Sequence, residues 1–151
     1  MTWRGLVIVD TNVVVSGLIT AERGSPSARI LDGLLSGRLR FVVSVELLAE
    51  YRAVLLRPRI RSFHGLAESD VDRVIKRLAE NGALRTPELA PQPAPDPGDQ
   101  HLWDLLGCVP GSLLITGDRA LLEAPLFGDG AISPRDFVSR SGAGLQGPIT
   151  V

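Results

Sequence analysis

Four acidic residues stand where a fold could gather them. Asp10 follows the apolar run Leu6-Val7-Ile8-Val9, Glu50 lies within Leu47-Leu48-Ala49-Glu50-Tyr51, Asp99 precedes Leu102 and Trp103, and Asp118 closes Leu113-Leu114-Ile115-Thr116-Gly117-Asp118. Carboxylates drawn into one cleft repel one another and take up protons unless a cation neutralises them. Oxygen donors select hard ions, and Mg²⁺ or Mn²⁺ uses few protein carboxylates while keeping several waters. Such an ion activates a bound water and screens the charge of a phosphodiester and its departing oxygen. The chemistry to expect is metal-assisted hydrolysis of a nucleic-acid backbone. Each acid also has a plainer role: Asp10, Asp99 and Asp118 can cap the helices that follow them, and Glu50 can be a solvated helix residue. Only convergence separates the two readings.

The elements that must position these acids read as alternating strands and helices. Leu6–Val9 is short, uninterrupted and rich in β-branched residues, the pattern of a strand buried on both faces. Ser25 ahead of Pro26 opens a helix whose stripe Ile30, Leu31, Leu34 and Leu35 stops at Gly37. Phe41-Val42-Val43 is a second strand, and Ser44 caps a helix from about Val45 to Arg57 that Pro58 ends. Ser69 with Asp72 predicts a capping box for a helix carrying Val71, Val74, Ile75 and Leu78, closed by Gly82 and followed by a short strand at Ala83-Leu84. Five prolines in the eleven residues from Pro87 to Pro97 leave an extended crossing loop. Asp99 then begins a helix over Leu102, Trp103, Leu105 and Leu106, and Leu113-Leu114-Ile115 is the third clear strand. Arg119 to Glu123 forms a short helix, Ala131-Ile132 an edge strand, and Ser133-Pro134 opens a last helix to about Arg140. This alternation predicts an α/β fold with a parallel sheet covered on both faces and ligands at the C-terminal ends of its strands. Asp10 and Asp118 then share one rim. Residues 1–140 form the domain and residues 141–151 a tail.

Composition sets the outer limits. The 151 residues, 44% hydrophobic and 22% charged, suit one globular domain that needs no disulfide or structural metal. Cys108 stands alone, which excludes an internal disulfide and suits a reducing cytoplasm. The first apolar run is broken by Asp10, too early for a signal peptide or a membrane span, so a cytoplasmic protein without a membrane partner is expected. The net charge of -1 conceals fifteen arginines against a single lysine, Lys76. Arg52, Arg57, Arg59 and Arg61 follow Glu50 as either a solvated helix end or a phosphate track leading RNA to the acids. Gly142-Ala143-Gly144-Leu145-Gln146-Gly147 has dinucleotide-binding spacing, but no strand precedes it and no helix follows. A phosphatase would want a second aspartate where Asn12 stands.

Val9-Asp10-Thr11-Asn12-Val13-Val14-Val15-Ser16, the segment around Glu50, and Thr116-Gly117-Asp118 resemble the motifs of the PIN-domain family, in an order and spacing that extend to about Arg140. The Gly24-Ser25-Pro26 turn and the Arg57-Pro58 step are similar to its branch of toxin components, the VapC-like ribonucleases. The resemblance implies a three-layer α/β/α fold with a central parallel sheet and a Mg²⁺- or Mn²⁺-dependent endoribonuclease. It also implies a toxin held in check by a cognate antitoxin protein, and it is compatible with a homodimer. Carried over by residue, it implies catalytic Asp10, Glu50, Asp99 and Asp118, a metal held by Asp10, Asp99 and Asp118, and polar support from Asn12 and Thr116. The third motif departs from the family pattern. Relatives of this branch carry an acidic run and then a lysine, whereas this chain reads Asp96-Pro97-Gly98-Asp99-Gln100-His101. Asp96 and Asp99 both stay open as the third acid; Asp99 is preferred because it heads an amphipathic helix, and Asp104 reads as a solvated helix residue. The departure keeps a second class of function in play, a catalytically silent PIN-like module that binds RNA or a protein partner.

Overall fold

The first apolar run forms strand β1 (Val7–Val9), whose residues are all buried, so both faces of the strand are covered. The structure is a computed structural model that describes residues 5–90, 93–124 and 130–141. β1 pairs in parallel with β4 (Leu113–Ile115), Val7 opposite Leu113 and Val9 opposite Ile115, and β4 pairs in parallel with β5 (Ala131–Ile132). A second parallel ladder joins β2 (Val42–Val43) to β3 (Ala83–Leu84). The ladders meet at a single bridge, Val7 opposite Phe41, beside a bond of 3.1 Å from the Val7 N–H to the Arg40 carbonyl. The strand order is therefore β3-β2-β1-β4-β5. Helices cover both faces, which gives the three layers expected of the α/β/α arrangement.

Helix α1 (Thr11–Ile19) follows β1 without a loop and is not legible in the sequence. Val13-Val14-Val15 has poor intrinsic helix propensity and extends an apolar run that reads as strand. Burial of all three valines overrides propensity, and the Asp10 carboxylate turns the chain by accepting from the Thr11 N–H at 2.8 Å. Helix α2 (Pro26–Ser36) begins and ends where the sequence places it, with Ser25 capping the Ala28 N–H and Gly37 closing it in the left-handed region at φ 77°. The two helices approach very closely at Gly17, where a Cβ would meet the Ser27 carbonyl oxygen at 2.6 Å.

Helix α3 (Val45–Leu55) ends before the Arg57 expected from Pro58 as its stop, and Pro58 opens a further helix, α4 (Pro58–His64), rather than only closing the previous one. Proline's fixed φ suits a first helical position, so a stop signal for one helix also starts the next. Helix α5 (Glu68–Asn81) starts before the expected Ser69: Asp70, not Asp72, reaches back to the capping position, accepting the Ala67 N–H at 3.1 Å. After the proline-rich stretch, a 3₁₀ turn (Pro97–Asp99) leads into α6 (Gln100–Cys108), and α7 (Arg119–Glu123) and α8 (Pro134–Ser141) are the last two helices among the described residues. Asp104 is not merely solvated. Its Oδ1 accepts from the Ala90 N–H at 2.7 Å and from Gln100 Nε2 at 3.0 Å, pinning the crossing loop to α6. The dinucleotide-like glycines and the tail beyond Ser141 lie outside the described residues. Among the described residues no helix is long and apolar enough to cross a membrane.

Candidate active site

Because β1 and β4 are parallel neighbours in register, the residues that leave their C-terminal ends come out side by side. Asp10 and Thr116 are those residues, and the Thr116 hydroxyl donates to Asp10 Oδ2 at 2.7 Å. The same hydroxyl oxygen accepts from the Asp118 N–H at 3.0 Å, so one buried side chain places both aspartates. Asn12 completes the link: its Nδ2 donates to Asp10 Oδ2 at 3.2 Å, and its Oδ1 accepts from the Gly117 N–H at 3.1 Å. Asp118 caps α7 by accepting from the Ala120 N–H at 2.9 Å. Capping and site-building are therefore not alternatives for Asp10 and Asp118; each does both.

Glu50 reaches the rim from α3. Its Oε2 accepts a short hydrogen bond from the Thr11 hydroxyl, and its Oε1 lies 3.6 Å from His101 Nε2. From the next residue, the buried Tyr51 hydroxyl donates to the Val9 carbonyl, which ties α3 to the end of β1. Burial, with the charges of Asp10 and Glu50 adding to it, raises the Tyr51 pKa well above the ordinary phenol value, so the hydroxyl remains a donor. Asp99 arrives on the 3₁₀ turn, and among the described residues its carboxylate accepts no hydrogen bond.

Asp10, Glu50, Asp99 and Asp118 line one cleft of about 460 Å³, together with Thr11, Asn12, Val15, Ser16, Ile19, Val54 and Arg57. The acids feel one another. Burial raises the Asp10 pKa, the bonds from Thr116 and Thr11 oppose that rise, and the charges of Glu50 and Asp118 add to it. Asp99 is pushed up to about 6, by burial first and then by the charges of Asp10, Asp96, Asp118 and Glu50. Asp96 is exposed, spends its Oδ1 on the Gly98 N–H at 2.8 Å, and does not line the cleft.

A family model of the PIN domain matches residues 6–120, a span that holds all four acids and the four strands β1 to β4. The chain belongs to the PIN-domain family. PIN domains are generally nucleases that work with divalent metal ions, and the layered fold described above is of their kind. No curated protein and no solved structure matches the chain.

The donor set of this PIN domain fits a hard divalent ion: every candidate ligand is a carboxylate oxygen, and the raised Asp99 and Asp10 mark negative charge in want of a cation. Among the described residues no three Asp, Glu, His or Cys side chains are drawn together as a ready cage. That spacing suits an ion which holds several waters and touches few protein groups directly.

Two members of the site were missed from the sequence. Thr11 carries a signal in hindsight, as the hydroxyl between two polar motif residues, whereas His101 reaches Glu50 only through the packing of α6 against α3. The four arginines separate. Arg57 lines the cleft, Arg59 and Arg61 stand exposed on α4 outside its lining, and Arg52 is engaged by Asp72 at 2.6 Å and Glu68 at 2.7 Å across α3 and α5.

Proposed function

We propose that this PIN domain is an endoribonuclease that hydrolyses RNA phosphodiester bonds with Mg²⁺ or Mn²⁺, acting in the cytoplasm as the toxin of a toxin–antitoxin pair. The observation that carries the nuclease reading is the shared cleft of Asp10, Glu50, Asp99 and Asp118, where burial and then the neighbouring charges raise Asp99. Asp10, Asp99 and Asp118 would hold the ion, which when bound supplies an activated water and a counter-charge for the phosphate. Thr116 and Asn12 keep the Asp10 carboxylate aimed at the rim, and Thr116 also sets the Asp118 backbone. Glu50, held at Oε2 by Thr11, has Oε1 free of any hydroxyl donor among the described residues and is the acid left to take the proton of the attacking water there. The water oxygen bonds to phosphorus as the bond to the departing nucleoside oxygen breaks.

The toxin role rests on the resemblance around Gly24-Ser25-Pro26 and Arg57-Pro58, and with it comes an antitoxin protein partner. The competing reading is a silent module that binds RNA or protein. The departure of Asp96-Pro97-Gly98-Asp99-Gln100-His101 from the family's third motif favours it. Purified protein incubated with single-stranded RNA decides between them. Cleavage that needs Mg²⁺ or Mn²⁺, stops in EDTA and is lost in Asp10→Asn supports the nuclease; undiminished cleavage in EDTA, or none at any metal concentration, refutes it. Inhibition by the product of an adjacent small reading frame tests the toxin role.

A further inference from the structure

The acid cleft does not end at the acids. A second cleft of about 410 Å³ adjoins it and shares Asn12, Ser16 and Asp118, so the boundary between the two is the rim where a scissile phosphate would sit. The two arms differ in chemistry. Beyond the shared residues the second arm is lined by Val13, Ser27, Gly117 and Pro134, whereas the first carries Val15, Ile19 and Val54 with Arg57 beside them.

Val15 and Ile19 are one helical turn apart on α1 and so share a face, and Val54 faces them from α3. This wall is backed by packing: Val15 joins Leu55 and Val71 in a small core of its own, against which Ile19 and Val54 are partly buried. A fixed aliphatic wall inside a cleft of carboxylates offers nothing to a sugar or a phosphate. The apolar part of RNA is the face of a base, and it is free only where the strand is unpaired and unstacked. Arg57 supplies the complementary charge. It shares the cleft with four carboxylates, yet among the described residues its guanidinium makes no ion pair or hydrogen bond, in contrast to Arg52.

We propose that Val15, Ile19 and Val54 form a subsite for one unpaired nucleobase next to the scissile phosphate, with Arg57 taking the neighbouring phosphate of the same strand. The proposal rests on the ribonuclease reading and adds to it a base required at one fixed position from the cut.

The test uses the full chain carrying Asp10→Asn, so that RNA stays intact, and a set of short RNAs with one abasic nucleotide moved along the strand. Fluorescence anisotropy should show affinity falling about fivefold when the abasic nucleotide occupies one position, the value expected for roughly 40 Å² of lost apolar contact, and little at the others. Val54→Thr, nearly isosteric, and Ile19→Ala should each erase that positional difference. Arg57→Ala should weaken intact and abasic strands alike. A penalty that is uniform along the strand, or that persists in both wall variants, overturns the subsite, as does a duplex that binds as tightly as a single strand. Cleavage by the unsubstituted protein is scored in parallel: cleavage without base discrimination overturns the subsite alone, and discrimination without cleavage overturns the nuclease reading alone.

Discussion

Asp10 and Asp99 line the same cleft but are held in opposite ways. Asp10 stands at the end of a central strand, 6% exposed, with donors from Thr11, Asn12 and Thr116 already in place. Asp99 comes in on a 3₁₀ turn after a proline-rich crossing, and among the described residues no donor faces its carboxylate. The first acid is pre-oriented by the sheet whether or not a cation is bound. The second is pushed up to about 6, by burial first and then by the charges of the acids it is brought to, with no donor to offset either. One region of the site therefore owes its geometry to the fold, and the other awaits a counter-charge.

Removing the pre-oriented acids should have the largest effect. Asp10→Asn and Asp118→Asn are each expected to lower the cleavage rate by roughly 10²–10³-fold or more, the scale seen when a preorganised electrostatic group is lost, with an unchanged circular-dichroism spectrum. If both variants instead unfold, their capping role dominates and the contrast with Asp99 is broken.

Asp99→Asn should lose somewhat less activity, about 10- to 100-fold, but it has a second and more telling signature. The folded pKa lies above the ordinary value of 3.8, so the folded state keeps a proton through the window from about 4 to about 6 that the unfolded chain has released. The stabilising contribution is complete below that window and is lost as pH rises through about 6. Metal-free Asp99→Asn should therefore melt higher than the unsubstituted protein at pH 7.5, and the gain should vanish at about pH 4. A gain that is equal at both pH values would show that charge repulsion is not its source.

Thr116→Val sharpens the comparison from the other side. It keeps the shape but removes the hydroxyl that serves Asp10 and Asp118, leaving the Asp118 N–H without its acceptor. Stability should fall by about 1–2 kcal/mol and activity by roughly tenfold, read from a denaturant melt and a cleavage assay. The smallest effect is expected at Arg52. Arg52→Ala breaks exposed ion pairs to Glu68 and Asp72 and should lower Tm only slightly, with RNA affinity unchanged; a clear loss of affinity would return Arg52 to the substrate path.

The same contrast explains how far the sequence could be read. Strand-end acids are legible because a buried apolar run announces the strand, and a parallel pair puts both ends on one rim; Asp10 and Asp118 follow from that alone. Glu50 follows from the Ser44 cap and the helix period, and the choice of Asp99 over Asp96 from the amphipathic helix behind it. What stayed hidden depends on tertiary packing. The three valines of α1 adopt helix only because their environment buries them, Pro58 serves two helices at once, and the Thr11–Glu50 and His101–Glu50 approaches join residues distant in the chain. Arg52 showed the limit of counting charges, since its sequence neighbours do not reveal the acids of α5 that occupy it.

The single bridge between Val7 and Phe41 has a consequence for how this molecule would come apart. It is the thinnest stretch of the sheet, and the site lies across it: Asp10 and Asp118 leave the β1–β4 half, whereas Glu50 belongs to the helix that follows β2. Two side-chain ties, Tyr51 to the Val9 carbonyl and Thr11 to Glu50, close the seam at the rim. In hydrogen exchange the amides of β2 and β3 should then trade protons by a sub-global opening of lower free energy than the one that releases β1 and β4. Each such opening would carry Glu50 away from the other acids while the greater part of the sheet stayed folded.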